Sequence, residues 1–246
     1  TEISGPSGFE VESIEGFPIP MGIEDSCGKY SSKFVNEPSL QMCRLEQPLF
    51  VVYHGRLTEI QSIQLLMEQI GAMWQSDKGF RHNVVLVTTG FSESVLAQLA
   101  LNFCELTTIN VLPILAPMSP VPNGQLGFLE DVCAVTGAKL LDPLNNPLDK
   151  AGLDVLGVMA KTFEANRFRS TILSDGSEDT ALMIEQQVQN LQVQKPQAAS
   201  ILDANIYEER IGKLTGGIAK LKVVGSSSGE LRERRDRAED AICAVR

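Results

Sequence analysis

Three times along the chain, a short apolar and partly β-branched run leads into a segment with apolar residues at helical spacing. LFVVY at 49–53 precedes Leu57, Ile60, Ile63, Met67, Ile70 and Met73, and NVVLV at 83–87 precedes SESVLAQLALNF, which starts at Ser92. NVLPILA at 110–116 then precedes QLGFLEDVCAVTG, where Gly137 reads as a helix stop. Strands joined through a helix pair in parallel, and a parallel sheet needs helices over its faces. The expected class is therefore α/β, a layered sheet with flanking helices. Ser92 is placed to cap its helix, with Glu93 favourably in the first turn.

Beyond residue 165 the rhythm changes. STILSDG at 170–176 reads as a strand and turn, a Gln-rich helix spans about 178–194, and Pro196 ends it. A second helix is expected over about 199–214, stopped by Thr215-Gly216-Gly217, followed by a strand at 218–224 and a charged helix over 230–246. That last helix has no Gly or Asn after it to close its carbonyls, and the first residues read as a strand without a partner. The expectation is a piece excised from a longer protein, with both ends belonging to one neighbouring domain.

A chain of 246 residues suits one large domain or two small ones and buries roughly 70% of its unfolded surface. With 43% hydrophobic and 21% charged residues, it is neither disordered nor a disulfide-dense miniature. The formal net charge of -10 repels phosphate backbones and anionic lipid heads, so neither nucleic acid nor a membrane is an expected partner. Five scattered cysteines, Cys27, Cys43, Cys104, Cys133 and Cys243, form no Cys-x-x-Cys pair and read as reduced thiols. There is no run of 18 apolar residues and no basic-then-apolar leader, which sets the expected location as cytoplasmic.

Candidate chemistry is sparse. Gly90-Phe91-Ser92-Glu93-Ser94 comes within one residue of the Gly-x-Ser-x-Gly nucleophile elbow, so a serine hydrolase using Ser92 is one alternative. In that family the catalytic His follows the Ser, whereas His54 and His82 both precede it, and a capping role explains Ser92 equally well. The two histidines share no metal-ligand spacing, so no metal site is expected, and surface or capping roles suit them better. Neither Gly-rich phosphate motif occurs, since Gly212-Lys213 is followed by Leu214, so the chain alone is expected not to bind ATP tightly and to hold no cofactor. The run Glu230 to Arg237 alternates charge at helical spacing, as a solvated helix does.

What stands out is apolar excess on two consecutive helices. Ile63, Leu65, Leu66 and Met67 on one, with Leu96, Leu99, Ala100, Leu101 and Phe103 on the next, cover more than one face. Half of these must cover the sheet, and the remainder could make a groove for apolar segments. An independent small-molecule-binding α/β domain is the other alternative.

TEISGPSGFEVESIEG resembles the segment leading into the apical domain of GroEL-like group I chaperonins, and EERIGKLTGGIAKLKVVG with RAEDAICAVR resembles the segment leading out. The resemblance covers the whole chain. It is strongest at Glu15-Gly16, Phe34-Val35-Asn36, Pro48, Leu96 to Asn102, Leu129 to Val132, Thr136-Gly137 and Glu208 to Arg246. It implies an apical, substrate-binding domain over 15–217, flanked by intermediate-domain segments at 1–14 and 218–246 that belong to a partial α+β domain. The equatorial ATP-binding domain would lie outside both ends.

By the same resemblance, non-native polypeptides and a co-chaperonin would bind between two apical helices and a nearby loop. The residues implied are Tyr30 and Phe34 on the loop, Gln64 and Met67 on the first helix, and Leu96, Ala100, Leu101 and Asn102 on the second. Asp240 matches the intermediate-domain aspartate that activates the attacking water when ATP and Mg2+ occupy the equatorial domain, a task a carboxylate can perform. Ring subunits are the further implied partners of the full-length protein. Departures mark a divergent member: Lys29 and Lys33 replace aromatic residues, Gln64 a leucine and Ala100 a valine, and the stretch at 116–128 lacks the family's Gly- and Arg-rich pattern. The four side-chain changes imply a groove of lower affinity or narrower selectivity, and the altered stretch bears on subunit contacts and co-chaperonin use.

Overall fold

The computed structural model describes residues 2–4, 8–14, 16–77, 81–103, 109–198, 200–225 and 227–245. Contacts divide the chain into two units, Thr1–Glu15 with Gly217–Arg246 and Gly16–Gly216.

In the smaller unit, β1 (Glu2–Ser4) and β2 (Gly8–Ile14) flank β11 (Ile218–Gly225), the first in parallel and the second antiparallel. The first strand therefore does have a partner, which the sequence order conceals because it comes from the far end of the chain. A helix, α7 (Ser228–Val245), packs on β11, with Leu231 and Val223 buried. It carries i,i+4 pairs, Arg234–Glu230 and the solvent-exposed Arg237–Glu233, both at 2.8 Å, as its alternating charge predicts.

The larger unit holds two four-stranded sheets. One is wholly parallel, with β5 (Leu49–Leu57), β6 (Asn83–Phe91), β7 (Asn110–Leu115) and β8 (Leu140–Leu141) in the order β7-β6-β5-β8. Residues 49–52 and 84–88 are continuously buried, the signature of strands covered on both faces. The second sheet is antiparallel, with β3 (Gly16–Ile19), β4 (Cys43–Glu46), β9 (Ala160–Ala165) and β10 (Ser170–Ser174) in the order β3-β10-β9-β4. Phe50 of β5 meets Phe163 of β9 edge-on with ring centroids 5.7 Å apart, so one aromatic pair joins the two sheets in a shared core.

Six α-helices complete the described part of this unit. α2 (Gln61–Ser76), α3 (Glu93–Asn102) and α4 (Gly124–Thr136) follow the first three parallel strands in turn, while the short α1 (Ile23–Cys27) leads into a 3-10 segment, Gly28–Phe34. α5 (Glu178–Gln194) and α6 (Ile201–Thr215) lie against α4. Ser92, Ser177 and Ser200 each cap a helix by accepting a backbone N–H three residues on. Gly137 closes α4 at φ 74°, a left-handed conformation that glycine adopts without steric cost.

Candidate functional site

α2 is seated by Ile63, Leu66 and Ile70, all buried and spaced three and four residues apart. α3 is seated by Val95 and Leu99. Between the two helices runs a groove of about 440 Å³ whose lining is predominantly apolar. α2 and the residue before it contribute Ile60, Ile63, Met67 and Trp74, α3 contributes Leu99, and Ile109 and Val111 lie on the β7 side. Gln64, Glu68 and Asn102 add polar groups. The groove is concave and mostly apolar with few polar groups, which suits the capture of apolar side chains.

Of the residues expected on this surface, Gln64, Met67 and Asn102 line the groove. Leu96 and Ala100 are half-buried against the core, outside the lining. Leu101 stands 75% exposed on α3 and is available to a partner lying over that helix. Tyr30 is half-buried beneath Lys29, whose ammonium sits 5.2 Å from its ring centroid. Lys29 also pairs with Glu93, which fastens the 3-10 segment to the first turn of α3. Phe34 corrects the expectation. It is completely buried, edge-on to Phe103 at 5.1 Å, because the ring fills the space where the 3-10 segment meets the end of α3.

Several lining residues escaped the reading of the sequence, yet part of the signal was present. Ile60, Ile63, Gln64, Met67, Gly71 and Trp74 all lie at helical intervals, a single stripe ending in the only tryptophan of the chain. Ile109 and Val111 enter through the sheet and cannot be read from local spacing.

Ser92 is a cap. Its hydroxyl accepts from the Val95 N–H at 3.3 Å, donates to the Thr58 carbonyl at 2.8 Å and lies 3.0 Å from the Ser94 hydroxyl, so no imidazole contacts it. His82 stacks on Trp74 with centroids 5.3 Å apart. No group of three or more His, Cys, Asp or Glu could hold a metal among the described residues. Burial pushes the Cys133 thiol up to about 12 and raises that of Cys27 as well, so neither is a ready nucleophile. Cys104 and the side chain of Cys243 lie outside the described residues, as does Glu15. Asp240 is exposed on α7. No described helix is long and apolar enough to cross a membrane.

The architecture, α/β layered sheets beside a smaller α+β unit, matches a chaperonin apical- and intermediate-domain-like fold. Two solved structures that carry this likeness are of the chaperonin gp146 from bacteriophage EL 2 (Pseudomonas aeruginosa), crystallised in the presence of ATP-BeFx. Crystal form II matches with a TM-score of 0.70 and 21% identity over 100% of this chain and 45% of that one. Crystal form I matches with a TM-score of 0.60 and 18% identity, over 100% and 44% respectively. The chain thus spans less than half the length of the chaperonin it matches. No family model matches the sequence.

Proposed function

We propose that this chain is the polypeptide-binding portion of a group I chaperonin, an ATP-driven ring that captures non-native proteins in the groove between α2 and α3. The observation that carries the reading is the groove itself, a space of about 440 Å³ left open and apolar between helices that otherwise cover the sheet. A misfolded protein exposes apolar side chains, and covering each gains roughly 1.5 to 3 kcal/mol without a sequence code. Met67 adds an unbranched, adaptable contact suited to varied clients. In the complete protein, Asp240 would orient the attacking water once a nucleotide-binding domain and Mg2+-ATP are in place, and a co-chaperonin would compete for the same groove. The chain alone is a binding module and not an enzyme.

The test is suppression of aggregation of a chemically denatured enzyme, followed by light scattering, with a Met67→Glu, Leu101→Glu double variant beside the parent. Leu101 is largely exposed and Met67 lies outside the fully buried core, so the variant retains its circular dichroism spectrum. The parent suppresses scattering at stoichiometric excess, and the variant loses most of that effect. Equal suppression by a folded variant would place binding elsewhere. A single groove per chain gives no avidity, so the excess is needed.

A further inference from the structure

The electrostatic character of the groove rests on one residue. Among its described lining residues, Glu68 alone carries a formal charge. Its carboxylate accepts from the Gln64 amide at 2.8 Å, a neutral partner, and no cation pairs with it among the described residues. Some carboxylates of the same unit are matched, Glu24 by Arg167, Glu93 by Lys29 and Asp154 by Lys139, and others are not; what sets Glu68 apart is that it lines the groove. One turn beyond Glu68, Gly71 puts no side chain into the groove, where a β-carbon would take up part of the space in ordinary contact with the Ile109 side chain at 3.5 Å. A long side chain from a bound segment therefore has space beside an unmatched carboxylate, in a protein whose net charge is -10.

We infer that the groove selects cationic amphipathic segments, in which a Lys or Arg flanked by apolar residues pairs with Glu68 while its neighbours cover Met67 and Trp74. This deepens the polypeptide-binding reading and rests on it. The discrimination is two-sided: a basic residue gains a charge-assisted hydrogen bond, and an acidic one meets a like charge. Because Glu68 is exposed, the effect is modest and screened by salt.

Trp74, the only tryptophan in the chain, lines the groove and so reports occupancy by its own emission. Three short amphipathic peptides free of Trp and Tyr, identical except for Lys, Gln or Glu at one central position, would be titrated into the parent, Glu68→Gln and Glu68→Lys. The parent should bind the Lys peptide roughly tenfold more tightly than the Glu peptide at low salt, a preference that shrinks at high salt. Glu68→Gln should abolish the preference and Glu68→Lys reverse it. Equal affinity of the parent for all three, or a preference that survives Glu68→Gln, overturns the charge selection and leaves the groove reading standing. If none of the three binds, by emission or by calorimetry, the groove reading falls and the selection with it.

Discussion

α2 and α4 each follow a strand of the same parallel sheet, yet the protein treats them in opposite ways. α4 is enclosed, with Phe128, Leu129, Val132 and Val135 buried on one side and α5 and α6 packed over it. α2 buries only Ile63, Leu66 and Ile70, and leaves Leu65 and Met73 at 45% and 41% exposure. α4 has the higher apolar content of the two and still exposes less, because a second layer consumes it. Apolar sequence alone does not make a binding surface; an apolar helix without a cover does.

The covered side is also locked by charge. Arg210 of α6 grips Asp131 of α4 with two bonds of 2.7 and 2.8 Å, the Gln187 amide of α5 donates to the same carboxylate at 2.9 Å, and Arg210 donates to the Gly127 carbonyl at 2.8 Å. The side chains of Asp131 and Arg210 are only 2% and 12% exposed. Removing one partner strands a buried charge, so Asp131→Ala should cost about 3 to 5 kcal/mol in urea denaturation. Asp131→Leu combined with Arg210→Met should restore much of that loss, since the well-packed apolar pair needs no counter-charge. A cost below about 1 kcal/mol for the single change would remove the idea that this side is held rigid while the other stays open.

Adjacent residues on α2 make the same comparison within one helix. Leu66 is fully buried beneath the helix and Leu65 points partly to solvent. Leu66→Ala should therefore destabilise by about 2 to 5 kcal/mol, whereas Leu65→Ala should stay within about 0.5 kcal/mol. Thermal melts of the two variants check this directly. Comparable losses would mean that α2 is covered on the Leu65 side as well.

How much of this was legible depended on how local each signal was. The helix after Ser92 and the Gly137 stop were correctly placed, because caps and left-handed glycines act within a few residues. The start of α2 was placed at Leu57, but β5 runs through that residue, opposite Phe91 and past an irregularity between Tyr53 and Arg56. An apolar Leu57 fits the end of a buried strand as well as the start of a helix. Three strands of the antiparallel sheet went unread. β4 does alternate, with Cys43 and Leu45 buried and Arg44 and Glu46 exposed, but four residues are too few to define a period, and its partner β9 lies far along the chain. At the groove, the stripe on α2 was local and visible, whereas the burial of Phe34 depends on Phe103 and appears only when the 3-10 segment meets α3.

Of the two helices that border the groove, α2 starts after Ile60 without a side-chain cap, whereas the shorter α3 is fastened at its N-terminal end. α3 buries just Val95 and Leu99 and carries a side-chain cap from Ser92, whereas the N-cap of α4, Asn123, makes no side-chain cap bond and relies on its cover. Ser92→Ala should cost about 1 kcal/mol, and Ser92→Gly only a few tenths, because glycine leaves the capping conformation accessible and its backbone N–H groups open to water. A nucleophile would give a different pattern, with both variants equally inactive toward a reactive ester. The graded pair in urea titrations, together with ester turnover no different from the parent, would identify Ser92 as the fastening of α3. Loss of stability alike in both variants would instead trace the effect to the hydroxyl's bond with the Thr58 carbonyl, and would shift the anchoring of α3 from its cap to the loop after β5.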